Sequence, residues 1–211
     1  MGRHARNLLV CLHVVTSVGW MSQALALFAL LVHGMTAGDP HAYEMAEVLD
    51  AEVLVHLANA SAFTGLMLAP LTRWGYFQYW WVLVKFAITM IQICVAIFLL
   101  SPRLTALADG GQADSAALAA GTILMASAIA FQCWLSVAKP WKRTPWTATP
   151  PKPPAPPGLL VSFIIAVPLL DYLLASRLGH PAPLLTVLTA IAYPIWRRHR
   201  LARPGRIQAS R

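Results

Sequence analysis

Residues 77–100 read FQYWWVLVKFAITMIQICVAIFLL, and Lys85 is the only charge among them. About 20 apolar residues cross the hydrocarbon core of a bilayer as a helix. This stretch therefore reads as a membrane span, and the charges around it give its direction. Arg73 precedes it, and Asp109 and Asp114 follow it. Working outward, the runs 8–32, 53–72 and 116–137 have the same character, and two shorter runs follow at 159–175 and 183–196. All eight acidic residues fall on one side of these runs. Nearly all the basic residues fall on the other side: Arg3, Arg6, Arg73, Lys139, Lys142, Arg143, Lys152 and the cluster from Arg197 to Arg211. Cytoplasmic loops retain Lys and Arg, so the alternation assigns both termini to the cytoplasm.

The expected fold is an all-α, polytopic transmembrane helical bundle. It comprises a four-helix unit over 1–144 and a C-terminal hairpin over 158–196, which makes six spans. The pattern at 145–157 includes TATPPKPPAPP, a proline-rich cytoplasmic linker with the character of an extended polyproline strut. A basic cytoplasmic tail at 197–211 ends the chain. The last two runs come as a pair, so charge patterning alone does not separate six spans from four plus a re-entrant or surface hairpin. The break at Leu178-Gly179-His180-Pro181 suits a tight hairpin. After the first span, Asp39-Pro40 is expected to cap a helix that starts at His41 and runs unbroken into the second span. Its first turns, with Glu44, Glu47, Asp50 and Glu52, would project outside.

Composition narrows the function classes. The chain is 58% hydrophobic and 11% charged, outside the soluble range. Its net charge of +8 does not imply nucleic acid, because the basic residues sit at span ends, where they meet anionic lipid headgroups. The partners expected are the bilayer, anionic headgroups at the basic tail and a protein partner for strut and tail. Cys11, Cys94 and Cys133 lie inside apolar runs, which argues against a disulfide framework. No GxSxG, Walker, HExxH or GxGxxG pattern occurs, so hydrolase, nucleotide and dinucleotide chemistry lack a foothold. Trp74, Tyr76, Tyr79, Trp80 and Trp81, with Trp134, Trp141 and Trp146, form an aromatic belt at the inner ends of spans three and four.

Ionisable side chains within spans are costly and are functional candidates by default. By helical rise, His13 lies about 8 Å, Gln132 about 10 Å and Lys85 about 12 Å from the cytoplasmic ends of their helices, which puts them on one level. His56, about 25 Å from Arg73 by the same rise, belongs to the outer half. Gln78, Lys85, Thr89 and Gln92 form a stripe on the third span that should face protein. No carboxylate shares the inner level, so a buried Lys85 must either lose its proton or meet an anion brought by a ligand: a haem propionate, a phosphate or an anionic substrate. Glu52 and His56, with His33 and His41 nearby, are the candidates for an outer metal site.

Three stretches carry a resemblance: LHVVTSVGWM from Leu12, TGLMLAPLTRWGYFQYWWVLVK from Thr64 and LSVAKPWKRT from Leu135. Together they resemble uncharacterised actinobacterial integral membrane proteins of the domain-of-unknown-function 2269 type, over residues 8 to 144. More distantly, the first and third spans are similar to copper-resistance D-type membrane proteins and to the HemJ-type protoporphyrinogen oxidase. The latter is a four-helix membrane enzyme associated with haem b. That similarity implies a redox role, with His13 ligating haem iron, Lys85 a propionate partner, Trp20 a pocket wall, and Gln92 and Gln132 supporting groups. The extra histidines usual in the HemJ-type third helix are absent here. Beside this reading stand a small-molecule or metal permease without redox cofactor and an accessory membrane subunit whose polar groups join helices.

Overall fold

The computed structural model describes residues 3–72, 74–145, 159–178 and 183–201. Residues 146–157 of the expected linker, 179–181 of the expected hairpin break and 202–211 of the expected tail lie outside them.

Helix α1, Arg3–Ala37, has 35 residues and is about 52 Å long, well beyond the ~30 Å hydrocarbon core. It stops where Gly38 takes φ +65°, a conformation that costs glycine little. The next helix starts at His41, whose backbone N–H donates to Asp39 Oδ1 at 3.0 Å. It runs as α2 (His41–Leu49), a π-helical turn (Asp50–Leu54) and α3 (Val55–Leu71), matching the unbroken helix expected there. The third helix begins at Trp80, three residues later than the apolar run. Phe77, Gln78 and Tyr79 are instead paired with the chain beyond the fourth helix: Thr144 donates to Gln78 O at 3.1 Å and to Phe77 O at 2.5 Å. It runs as α4 (Trp80–Val95), a second π-turn (Ala96–Leu100) and α5 (Ser101–Ala108), overrunning the expected end by two turns. Pro102 is tolerated because it falls in the first turn of α5. Helix α6, Ser115–Ala138, is capped by Asp114, whose carboxylate accepts from Ala117 N at 3.0 Å. Lys139 ends it in a left-handed conformation at φ 46°, just before Pro140.

Four helical segments are therefore long and apolar enough to cross a membrane: His4–Ala37, His41–Leu71, Trp80–Ala108 and Ser115–Ala138. Among the described residues every regular element is helical. Helix α7 is Leu159–Leu178, ending where the hairpin break is expected to begin, and α8 is Leu184–Leu201.

Helix α1 is the central post, packed against α6 on one side and α3 on the other. Its Trp20, Ala24, Leu27 and Leu31 form the main core with Leu118, Ala119, Ala126 and Ile129 of α6. A second core joins Leu9, Phe63, Met67 and Leu71 to Ile164 and Val167, docking the C-terminal hairpin on α3. Large apolar side chains face outward elsewhere, with Phe98 78% and Leu124 69% exposed. Such a surface suits lipid and would be costly in water.

Candidate functional site

The polar groups expected inside the membrane divide into separate ties between helices. His13 Nδ1 stands 3.1 Å from Ser61 O and 3.1 Å from Thr64 Oγ1, both on α3. A carbonyl can only accept, so the proton sits on Nδ1 and Nε2 is left as the lone-pair nitrogen. One helical turn outward, Ser17 and Ser61 share a hydrogen bond of 2.7 Å. The ring of His13 rests on Gly65 so closely that a methyl group there would stand 2.8 Å from its Cε1. This tie holds α1 to α3.

The second tie holds α4 to α6. Lys85 Nζ donates to Ser136 Oγ at 2.5 Å. Thr89 donates to Gln132 Oε1 at 2.9 Å, Gln132 Nε2 to Gln92 Oε1 at 2.6 Å, and Gln92 Nε2 to Met125 O at 3.1 Å. Three members of the expected stripe thus face protein. The fourth, Gln78, lies ahead of α4 in the inner loop, and its buried Oε1 has no hydrogen-bond partner. Among the described residues no carboxylate pairs with Lys85.

The outer groups do not converge on a metal. His33 pairs with Asp39 at 3.9 Å, His41 pairs with Glu44 at 3.1 Å, and the His56 ring meets Tyr172 edge-on at 4.7 Å. Among the described residues no three His, Cys, Asp or Glu side chains are grouped to hold an ion. Asp171 is structural, since its two carboxylate oxygens accept from Leu185 N at 3.0 Å and Thr186 N at 2.8 Å in the first turn of α8. The same turn meets α3, where Asn59 donates to Thr186 Oγ1 at 3.4 Å.

Where α3 leads into α4 and the chain leaves α6, two stretches quoted for the resemblance pack together. Lys139 lies 5.3 Å above the Trp74 ring, and Arg143 donates to the Tyr79 hydroxyl at 3.1 Å. Tyr76 donates from its hydroxyl to Leu66 O, and burial pushes its phenol pKa above the ordinary value.

One residue overturns its sequence-based placement. Asp50 was expected to project outside with Glu44, Glu47 and Glu52. It instead turns into the bundle and accepts from Ser101 Oγ at 2.7 Å. The π-turn that starts at Asp50 inserts an extra residue, which rotates the helix face by about 100°. No feature of the 3.6-residue pattern announces that insertion. Asp50 and Ser101 line a cavity of about 40 Å³ with Trp20, Leu54, Leu100 and Thr122. Trp20 thus lines this cavity, about 10 Å along α1 from His13, and not a pocket around His13.

The arrangement can be tested for haem. The His13 tautomer is the one an axial ligand needs, with Nδ1–H held by a carbonyl and Nε2 available. The space does not fit. The His13 ring is lodged against Gly65, and the Gln92 and Gln132 amides are bonded to each other. The cavity has room for a water or two, not a macrocycle, and neither His13 nor Lys85 lines it. As packed, these residues do not fit haem, because α1 would have to part from α3, or α4 from α6, to admit it. What the site can do is hold a cation, Lys85, among neutral polar groups at one level and an acid, Asp50, at another. No family model, curated protein or solved structure matches this chain.

Proposed function

We propose that this is a six-span protein of the cell membrane, with both termini cytoplasmic, that binds a small anionic solute through Lys85 as a permease without redox cofactor. The observation carrying this reading is Lys85 itself. It is an ammonium within a span, half-buried, bonded to Ser136, with no carboxylate partner among the described residues. A cation placed there at such cost is a site for a charge that arrives from outside the chain. The loop charges support the orientation. Helices α7 and α8 supply the fifth and sixth crossings. The first turn of α8 lies beside Asn59, about 18 Å from the inner end of α3, below the outer surface. Free N–H groups at that depth need acceptors, and the Asp171 carboxylate supplies two.

The test is flux of small organic and inorganic anions into proteoliposomes. Uptake above empty liposomes, lost in Lys85→Met and partly kept in Lys85→Arg, is the expected result. Absence of flux across the panel would remove the reading. An absorption spectrum of protein from a haem-fed host serves as the second arm. A Soret band that disappears in His13→Ala would put the haem-binding redox reading in its place.

The accessory-subunit reading has one observation in its favour. Thr89, Gln92 and Gln132 satisfy one another completely and need no ligand. Its test is recovery of a stoichiometric protein partner that is lost when the residues after Pro145 are deleted.

A further inference from the structure

The Asp50 cavity lies in the outer half of the bundle, apart from the polar groups around Lys85. Counted along each helix, Asp50 is about 14 Å from the outer end of α2, Ser101 about 10 Å from that of α5 and Thr122 about 10 Å from that of α6. The three therefore meet at one level of the bundle. Both π-helical turns of the protein's described residues border this place: Asp50 and Leu54 belong to one, and Ala96 and Leu100 to the other. A π-turn exposes backbone polar groups and occurs often at functional sites.

Asp50 is the sole charged residue in the cavity lining. The neighbouring helices α1, α5 and α6 and the second π-turn contribute Trp20, Ser101, Thr122 and apolar side chains to it, but no cation and no second acid. Glu47, one turn earlier on α2, is the other charge that reaches Asp50, and it is of the same sign. A carboxylate in this setting has one hydrogen bond, from Ser101 Oγ to Oδ2, and room for more at its other oxygen. Trp20 is 5% exposed and lines the same cavity. A carboxylate with one side-chain donor thus borders a space that holds one or two waters.

We propose that Asp50 is a reversible proton-binding site, with Ser101 holding one carboxylate oxygen and the cavity leaving room for water at the other. The occupant must be a small cation, since a bare carboxylate turned into a largely apolar cavity is costly and no basic side chain lines it. The largely apolar lining, with two hydroxyls, offers too few oxygens for the six or so that an alkali or alkaline-earth ion usually takes. A proton needs only the carboxylate. The site does not depend on what Lys85 binds.

The experiment uses the full chain in liposomes, treated with dicyclohexylcarbodiimide, which couples to protonated carboxyls in apolar surroundings. The modified residue is located by mass spectrometry. Expected is labelling of Asp50 at neutral pH, which falls as pH rises, is indifferent to sodium or potassium, and is absent in Asp50→Asn. Ser101→Ala, which removes the donor to the ionised form, should increase the labelling severalfold. Asp50 left unlabelled at every pH, while a carboxyl placed by Leu54→Glu in the same cavity is labelled, would overturn the proposal. Protection of Asp50 by sodium at fixed pH would also overturn it, assigning the site to a metal cation. Neither result bears on anion flux through Lys85, so the two readings fail separately.

Discussion

Gln132 Nε2 donates to Gln92 Oε1 at 2.6 Å, and this bond sets the orientation of both amides in the seam between α4 and α6. Gln132 Oε1 is then left to accept from Thr89, and Gln92 Nε2 to donate to Met125 O. Both glutamines are buried, at 9% and 3% exposure, so each lost partner leaves a polar group in an apolar surround. Gln132→Leu should lower stability by about 1–2 kcal/mol, above the ~0.6 kcal/mol average for one interhelical hydrogen bond, because two groups, the Thr89 hydroxyl and Gln92 Oε1, lose partners. Thr89→Val should cost less. Thermal unfolding in detergent, read by loss of monodispersity, measures both.

Gly65 carries the next prediction. A methyl at this position would stand 2.8 Å from His13 Cε1, closer than non-bonded carbons approach. Gly65→Ala should destabilise the protein by roughly 1–3 kcal/mol, the usual range for overpacking. Adding His13→Ala should return part of that loss, giving a non-additive pair in a double-mutant cycle. Full additivity would show that the two residues do not meet.

Asp171 should matter for α8 more than for the rest of the bundle. Replacing its carboxylate with Leu removes the acceptors from Leu185 N and Thr186 N, a loss of about 0.5–2 kcal/mol on the scale of helix N-caps. Asp171→Asn keeps one oxygen and should lose less. Protease sensitivity after α7, with the four-helix unit remaining intact, is the readout.

Tyr76 gives an alkaline limit. Burial raises its phenol pKa in the folded protein, while an unfolded tyrosine ionises near the ordinary value of 10.0. A raised acid pKa means that the stabilisation is whole below the unfolded value and is lost as pH climbs past it. The melting temperature should therefore fall above about pH 10, and Tyr76→Phe should remove that share of the fall while costing about 1 kcal/mol at neutral pH for the hydrogen bond to Leu66 O.

Much of this was legible in the residues. Run length and loop charge identify four membrane-length helices, since hydrophobicity and helical rise are local properties that need no partner. Asp39-Pro40 marks the start of α2, because capping also acts within a few residues. The depth count placed His13 and Lys85 near one level, and Lys85, Thr89 and Gln92 on a protein-facing stripe. What the count could not supply was which helix each polar group would meet. His13 belongs with Ser61 and Thr64, and Lys85 with Ser136, because α1 packs against α3 while α4 packs on α6. Phe77, Gln78 and Tyr79, apolar enough to extend the third span, pair with 143–144 instead.

The two π-turns mark where local reading stops. One residue inserted into a helix carries no composition signal, yet it turns Asp50 from an expected outer loop charge into the wall of an internal cavity beside Ser101. The sequence by itself determined that this chain is helical, with helices long and apolar enough to cross a membrane and polar groups at a few defined positions along them. Hydropathy, capping and charge asymmetry act residue by residue along the chain. Only the tertiary structure decided that Asp171 caps α8, that the buried amides satisfy each other and that Asp50 and Trp20 share a cavity. Those outcomes depend on helix register and on which helices become neighbours, and both are set by packing across positions far apart in sequence.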